Sequence, residues 1–329
     1  MACYHPLIGI RSGERTINGK RKVEIIGRLD DNGVEDLKLN PDAVLIPCGN
    51  CIGCRLDYSR KWADRMILEL ETAKKGIFVT LTYDNDHIPW CYFNENGFPL
   101  YGTVCKSDCQ LFMKRLRDHF NDLCIRFYLA AEYGESETRR PHYHAILFGI
   151  GLDDLDNISV FGRNELGQPY YISPELTKIW KQGHVLVCNV SWQTCAYVSR
   201  YVTKKMKGLD KDINYLKYGQ LPEFALMSRK PGIGSKYLEL HPDILDLSYI
   251  NISTDEKGLK IAIPEYYLQK LKLTDEKKYD KIKEDRKRFA NDKMLIELFK
   301  TDLGMESYLE SKELNKVDKI SNLKRNKVR

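Results

Sequence analysis

Residues 125–149 constrain the fold more than any other stretch. They read IRFYLAAEYG, then the polar ESETRR, then PHYHAILFG. Two runs of β-branched, aromatic and apolar residues around a short polar turn spell a β-hairpin. Its returning arm carries His142 and His144, two of only seven histidines in 329 residues. Residues i and i+2 of a strand share a face, so the two imidazoles project together and Tyr143 points away. With a turn centred near residue 137, Glu132 is expected opposite His142, and directly opposed residues share a face. Two imidazoles and a carboxylate with open coordination positions suit Mg²⁺ or Mn²⁺ acting on a phosphate. Against this stands the brevity of a bare HxH, which ordinary strand histidines also satisfy. Glu135 and Glu137 are reserve ligands, read first as solvated turn charge.

Patterns on either side of the hairpin predict a layered domain. A helix is expected over 54–75, with Trp62, Met66 and Leu70 on one side and Gly76 ending it. IFVTLTY (77–83) reads as a central strand. A helix over 107–120 opens on a Ser cap and carries Leu111, Phe112, Leu116 and Phe120 as an apolar stripe. A capped helix (173–180), a strand (184–191) and a helix (192–206) follow. This order predicts an α+β fold, a central antiparallel β-sheet flanked by helices. Three parts are expected: a Cys-rich N-terminal segment (1–60), the sheet domain (61–250), and a basic helical C-terminal extension (251–329).

On the last helix of the middle part, Tyr197 and Tyr201 lie four residues apart and so share a face, one turn from each other. Lys204 and Lys205 continue that side. Core tyrosines with a solvated basic end would give the same pattern. Tyrosine hydroxyls can also serve as nucleophiles, and a lysine can neutralise charge on a phosphate.

Cys48, Cys51 and Cys54 form C-x-x-C-x-x-C. Three thiolates want a fourth partner for closed tetrahedral zinc, and Cys3 or His5 could supply it if the N-terminus folds back. An iron–sulfur cluster or three free buried thiols would also fit. The six other cysteines read as small hydrophobes.

Hydrophobic content of 43% and charged content of 30% fit a globular protein, and the net charge of +6 permits a nucleic-acid partner without demanding one. No apolar run approaches a membrane span, and the N-terminus lacks the long apolar core of a signal peptide, so the expected compartment is the cytoplasm. There, clustered cysteines point to metal rather than to disulfides. Arg229 and Lys230, in MSRKPGIG (227–234), could meet a DNA backbone or belong to a plain surface turn. The same holds for Arg55, Arg60 and Lys61. The basic end (319–329) could track nucleic acid or be a solvated tail.

FVTLTY, PHYHAILF and YVSRYVTKK, in that order across 77–205, resemble the three motifs of the HUH endonuclease superfamily of rolling-circle replication initiators. The paired tyrosines, PCGNCIGCR and MSRKPGIG are similar to the initiators of microviruses, the gokushovirus type above all. The resemblance reaches to about residue 240. It implies the HUH palm fold and a metal held by Glu132, His142 and His144. It further implies strand-specific nicking of single-stranded origin DNA by Tyr197 and Tyr201 through a 5′-phosphotyrosine, followed by strand transfer that closes a circle. DNA contacts from Arg200, Lys205, Arg229 and Lys230 are expected. So are a host helicase and DNA polymerase as partners, and action in the host bacterial cytoplasm. The family usually has lysine before the second tyrosine. Arg200 stands there and cannot serve as a proton donor, so that role would pass to Lys204. Three rival readings stay open: a relaxase or transposase of the same superfamily, a non-catalytic zinc-bearing nucleic-acid-binding protein, and a metal-dependent hydrolase acting through water.

Overall fold

The computed structural model describes residues 3–17, 21–29, 40–134, 139–163, 167–204, 215, 217–253 and 258–321. In chain order its elements are β1 (Leu7–Arg15), β2 (Arg21–Arg28), β3 (Ala43–Ile46), α1 (Ile52–Ala73), β4 (Gly76–Tyr83), β5 (Trp90–Phe93), β6 (Pro99–Gly102), α2 (Lys106–His119), β7 (Arg126–Tyr133) and β8 (Pro141–Phe148). There follow β9 (Ser159–Arg163), β10 (Pro169–Ile172), α3 (Pro174–Trp180), β11 (Gly183–Asn189), α4 (Trp192–Lys204), β12 (Ala225–Met227), α5 (Ser235–Leu240), β13 (Tyr249–Ser253), β14 (Gly258–Ala262), α6 (Glu265–Thr274), α7 (Glu276–Leu298) and α8 (Met305–Ser321). The chain divides into two compact units, residues 1–58 with 268–323, and residues 59–267.

The larger unit is built on a seven-stranded sheet in the order β12-β7-β8-β4-β11-β10-β9, with every neighbouring pair antiparallel. The expected α+β class and antiparallel sheet are what the chain adopts. β4 and β8 are buried on both faces, which explains their nearly unbroken apolar runs. One face packs Val79, Leu81, Tyr83, Leu129, Tyr143, Ala145 and Leu147 against Phe112, Met113 and Leu116 of α2 and Leu176 and Trp180 of α3. The other face carries Phe78, Tyr128, His142 and His144, with α1 and α4 above it: Trp62 lies 4.9 Å from Tyr128 and Tyr197 lies 6.0 Å from Phe78, centroid to centroid.

Local differences from the sequence expectations have physical reasons. α1 ends at Ala73, and Lys74 takes the left-handed turn (φ 66°). Gly76 instead opens β4, where a Cβ would sit 2.8 Å from Leu70 and 3.0 Å from Val190, so this glycine serves close packing. The cap of α2 is Cys105 rather than Ser107, and the Cys105 amide donates to the Tyr143 hydroxyl at 2.7 Å, so the opposite strand fixes the helix start. Ser173 does cap α3, accepting from the Leu176 amide at 3.2 Å. Of the scattered cysteines, Cys109, Cys188 and Cys195 are buried, Cys91 and Cys105 are half-buried, and Cys124 is exposed. The region after residue 248 opens with the β13–β14 hairpin before the helices begin.

The smaller unit has a three-stranded sheet in the order β2-β1-β3 and the helices α7 and α8. Its buried cluster is Ile8, Leu29, Met305, Tyr308 and Leu309. Among the described residues, no helix is long and apolar enough to cross a membrane.

Candidate active site

β8 pairs with β7 in a register that sets Glu132 directly across from His142 and Ala130 across from His144. On its other side β8 sets Thr82 against His142 and Thr80 against His144. Glu132, His142 and His144 therefore share one face, as the hairpin reading required. Their ligand atoms all lie within 4.8 Å of one another. Glu132 Oε1 meets both rings, contacting His142 Nε2 and lying 3.0 Å from His144 Nε2. Glu132 and His144 are buried, and the His142 side chain is 18% exposed, so the group opens to solvent on the His142 side.

The outer ring nitrogens are also held. His142 Nδ1 is 3.1 Å from the Arg140 carbonyl, which can only accept, so the proton sits on Nδ1. In the neutral ring the Nε2 lone pair then faces a carboxylate oxygen. Such an arrangement is relieved by protonating the ring or by a cation between the two. His144 Nδ1 is 3.0 Å from the Thr80 hydroxyl, and its ring stacks on Phe78 at 5.6 Å. Fixing the distal nitrogen in this way orients an imidazole toward a metal. Burial alone would raise the Glu132 pKa, but hydrogen bonds from the two imidazoles bring it down to about 2. The carboxylate is therefore charged at any working pH. A donor set of two imidazole nitrogens and a carboxylate oxygen fits a divalent cation of the Mg²⁺, Mn²⁺ or Zn²⁺ kind.

Tyr197 stands over this group, its ring edge-on to His144 with centroids 5.3 Å apart. α4 is fixed to α1 by reciprocal buried hydrogen bonds: Ser59 Oγ donates to the Ala196 carbonyl at 2.8 Å and Ser199 Oγ to the Ser59 carbonyl at 2.9 Å. Tyr201 and Lys204 lie on the last turn of α4, where the backbone is described. Lys205, Glu135, Glu137 and most of the 319–329 end lie outside the described residues. Arg200 is exposed, its Nε donating to the Ala196 carbonyl at 3.3 Å.

Arg229 and Lys230 are exposed at the tip of a loop anchored from beneath. Arg126 Nη2 donates to the Pro231 carbonyl at 2.8 Å, and Arg65 Nη2 to the Ile233 carbonyl at 2.7 Å. The Gly234 amide donates to Glu69 Oε2 at 2.6 Å, and Glu69 also pairs with Arg126. A Cβ on Gly232 would meet the Tyr266 hydroxyl at 2.8 Å, so this glycine serves packing against the protein's own residues. Arg55, Arg60 and Lys61 are exposed, and Arg60 lies 3.9 Å from Asp64.

In the smaller unit the structure brings Cys3, Cys48, Cys51 and Cys54 together, all four sulfurs within 4.8 Å of one another. His5 turns instead to Glu313, at 2.5 Å. Burial raises the Cys48 thiol, but amide donors from Cys51 and Asn50 outweigh it and bring the pKa down to about 7.

Sequence reasoning did not single out Thr80, Ser59, Ser199 or Glu69. Thr80 and Thr82 did leave a signal in FVTLTY, as polar residues alternating on one strand face. The others depend on tertiary partners.

Residues 76–206 match a protein family described as the Replication-associated protein ORF2 family. Along 97% of its length, and 97% of the relative's, the chain is 29% identical to the Replication-associated protein ORF2 of Spiroplasma virus 4. It is 30% identical to the Replication-associated protein VP4 of Bdellovibrio phage phiMH2K, over 67% of this chain and 65% of that one. It is 28% identical to the Replication-associated protein ORF4 of Chlamydia phage 1, over 58% of this chain and 46% of that one. No solved structure matches.

Proposed function

Because the chain belongs with the ORF2-type replication-associated proteins of small phages, we propose that it initiates rolling-circle replication by nicking one strand of a single-stranded origin through a tyrosine. The observation that carries this reading is the convergence of Glu132, His142 and His144 on one sheet face with the Tyr197 ring against His144.

Glu132, His142 and His144 would hold Mg²⁺ or Mn²⁺, which when bound supplies Lewis acidity at the scissile phosphate. The rest falls to the chain's own groups. α4 presents Tyr197 to the phosphate, with Tyr201 one turn further on. The tyrosine oxygen forms a bond to phosphorus, and the bond from phosphorus to the 3′ oxygen breaks. The 3′ oxygen leaves as a hydroxyl, taking its proton from Lys204. The products are a 5′-phosphotyrosine and a free 3′-OH that a host polymerase extends behind a host helicase. After one round the second tyrosine cuts the regenerated origin, and the new 3′-OH attacks the first phosphotyrosine and closes the circle. Phosphodiester energy is kept in the covalent link, so no nucleotide hydrolysis is needed.

Arg200, Lys205, Arg229 and Lys230 serve as backbone contacts, charges that position a strand without reading its sequence. The chemistry resides in residues 61–250, flanked by 1–60 and 251–329, and takes place in the host bacterial cytoplasm. The test is cleavage of labelled single-stranded origin DNA under Mn²⁺ or Mg²⁺ titration. Wild type should cut only with cation. His144→Ala and Glu132→Gln should lose at least about 100-fold, a large first-coordination effect judged against the 10–100-fold of supporting residues. Cation-independent cutting, or full activity in both variants, would overturn the reading.

A further inference from the structure

The four thiols of the smaller unit belong to no part of the nicking chemistry, yet they are organised. We propose that Cys3, Cys48, Cys51 and Cys54 bind one Zn²⁺ in a closed tetrahedral site that staples this unit together.

The geometry fits one ion. With Zn–S bonds of about 2.3 Å, the edges of a tetrahedron of sulfurs are about 3.8 Å. Cys3 Sγ and Cys51 Sγ are 3.9 Å apart, and all four sulfurs lie within 4.8 Å of one another. None of the four is in a disulfide. A four-iron cluster would hold its cysteine sulfurs much farther apart, because the inorganic cube lies between them.

The surroundings suit thiolates. The Cys48 amide donates to Cys3 Sγ at 3.2 Å, and those of Asn50 and Cys51 to Cys48 Sγ at 3.5 and 3.4 Å. The amides of Tyr4 and Cys54 donate to Cys51 Sγ at 3.3 and 3.4 Å. Such inward-turned amides stabilise negative sulfur, as in metal-binding knuckles. Four protein ligands leave no open position for a water or substrate, so the site is structural.

Its place shows what it holds. The β1–β3 ladder ends at the pair Leu7–Ile46. Just past that pair, Cys3 precedes β1 and Cys48 follows β3, while Cys54 stands in the first turn of α1. The ion would tie off the ladder and join it to the helix start. This unit needs such a tie. Its buried cluster is five residues, and every residue of β2 is exposed. Small cores are commonly completed by a metal.

The experiment uses the full-length chain, passed over chelating resin and analysed for metals. One Zn per chain is expected, and the same in the His142→Ala/His144→Ala double variant, which removes the other ligand set. Exchange into Co²⁺ should give the intense near-ultraviolet thiolate-to-cobalt band and the visible bands of a tetrahedral site. Cys51→Ser should lose the metal, while Cys124→Ser, at an exposed cysteine outside the cluster, should keep it. Where Cys51→Ser fails to fold, the zinc content and cobalt spectrum of the unsubstituted chain decide. Less than about 0.1 Zn per chain would overturn the proposal. So would iron with acid-labile sulfide, or loss of the zinc in the histidine double variant.

Discussion

Truncating Glu69 to alanine should be among the most damaging single changes in the larger unit. Its carboxylate is 3% exposed and binds two groups at once: the Arg126 guanidinium, itself 17% exposed, and the Gly234 amide at 2.6 Å. Alanine leaves a buried cation without its counter-charge, which costs about 3–5 kcal/mol. The orphaned amide accounts for about 1–3 kcal/mol, part of it within the same disruption. A net loss of about 4 kcal/mol is expected. For a unit of this size each kcal/mol lowers Tm by roughly 2–4 °C, so the melting point should fall by roughly 8–16 °C. All four tryptophans, Trp62, Trp90, Trp180 and Trp192, lie within residues 59–267, so tryptophan fluorescence follows this unit alone. Glu69→Gln keeps an acceptor for the Gly234 amide and should recover about half the loss. The 231–234 loop should also loosen, weakening DNA binding through Arg229 and Lys230. A fall of less than about 3 °C in Glu69→Ala, or equal damage from Gln and Ala, would refute the argument that a charged clamp holds this loop.

Two further predictions concern the site itself. Folding holds the Glu132 carboxyl at about 2, below its ordinary 4.5, so its stabilising contribution is full above about pH 4.5 and is lost as pH falls toward 2. In cation-free protein, urea midpoints of wild type and Glu132→Gln should therefore differ by roughly 3 kcal/mol near pH 5 and converge by about pH 2, whereas a pH-independent gap would contradict the ion-triad picture. Ser199→Ala should cost about 1–2 kcal/mol, because the Ser59 carbonyl loses its buried donor; an unchanged urea midpoint would mean that α4 is held to α1 by apolar packing alone.

The hairpin at 125–149 was legible because its period, its turn composition and its length all agreed, and from the turn the Glu132–His142 register followed. α1 and α3 were legible for the same reason, as amphipathic or capped segments of sufficient length. Helix ends were less so: Gly76 looks like a stop but is small because Leu70 and Val190 crowd it. The short strands β5, β6, β9 and β12 carry three to five residues each, too few for a period to register. Side chains whose role depends on a distant return of the chain were invisible. Glu69, in the run ILELE, looks like a surface acid until residues 231–234 come back over it. Likewise, nothing in MACYHP decides between Cys3 and His5 as the fourth partner of the cysteines. The choice follows from the Leu7–Ile46 pairing, which brings Cys3 to the knuckle, while His5 turns to Glu313.

The central claim is that a tyrosine on α4 attacks a phosphate held at the Glu132–His142–His144 group. The most direct test incubates the protein with 5′- and 3′-labelled single-stranded origin DNA and Mn²⁺ and resolves the products on a denaturing gel. The account predicts a protein-linked band carrying the label 3′ of the nick, present in each single variant, Tyr197→Phe or Tyr201→Phe, and absent from the double. Cleavage by the double variant, or cleavage by wild type with no covalent adduct, would contradict it and point to attack by water instead.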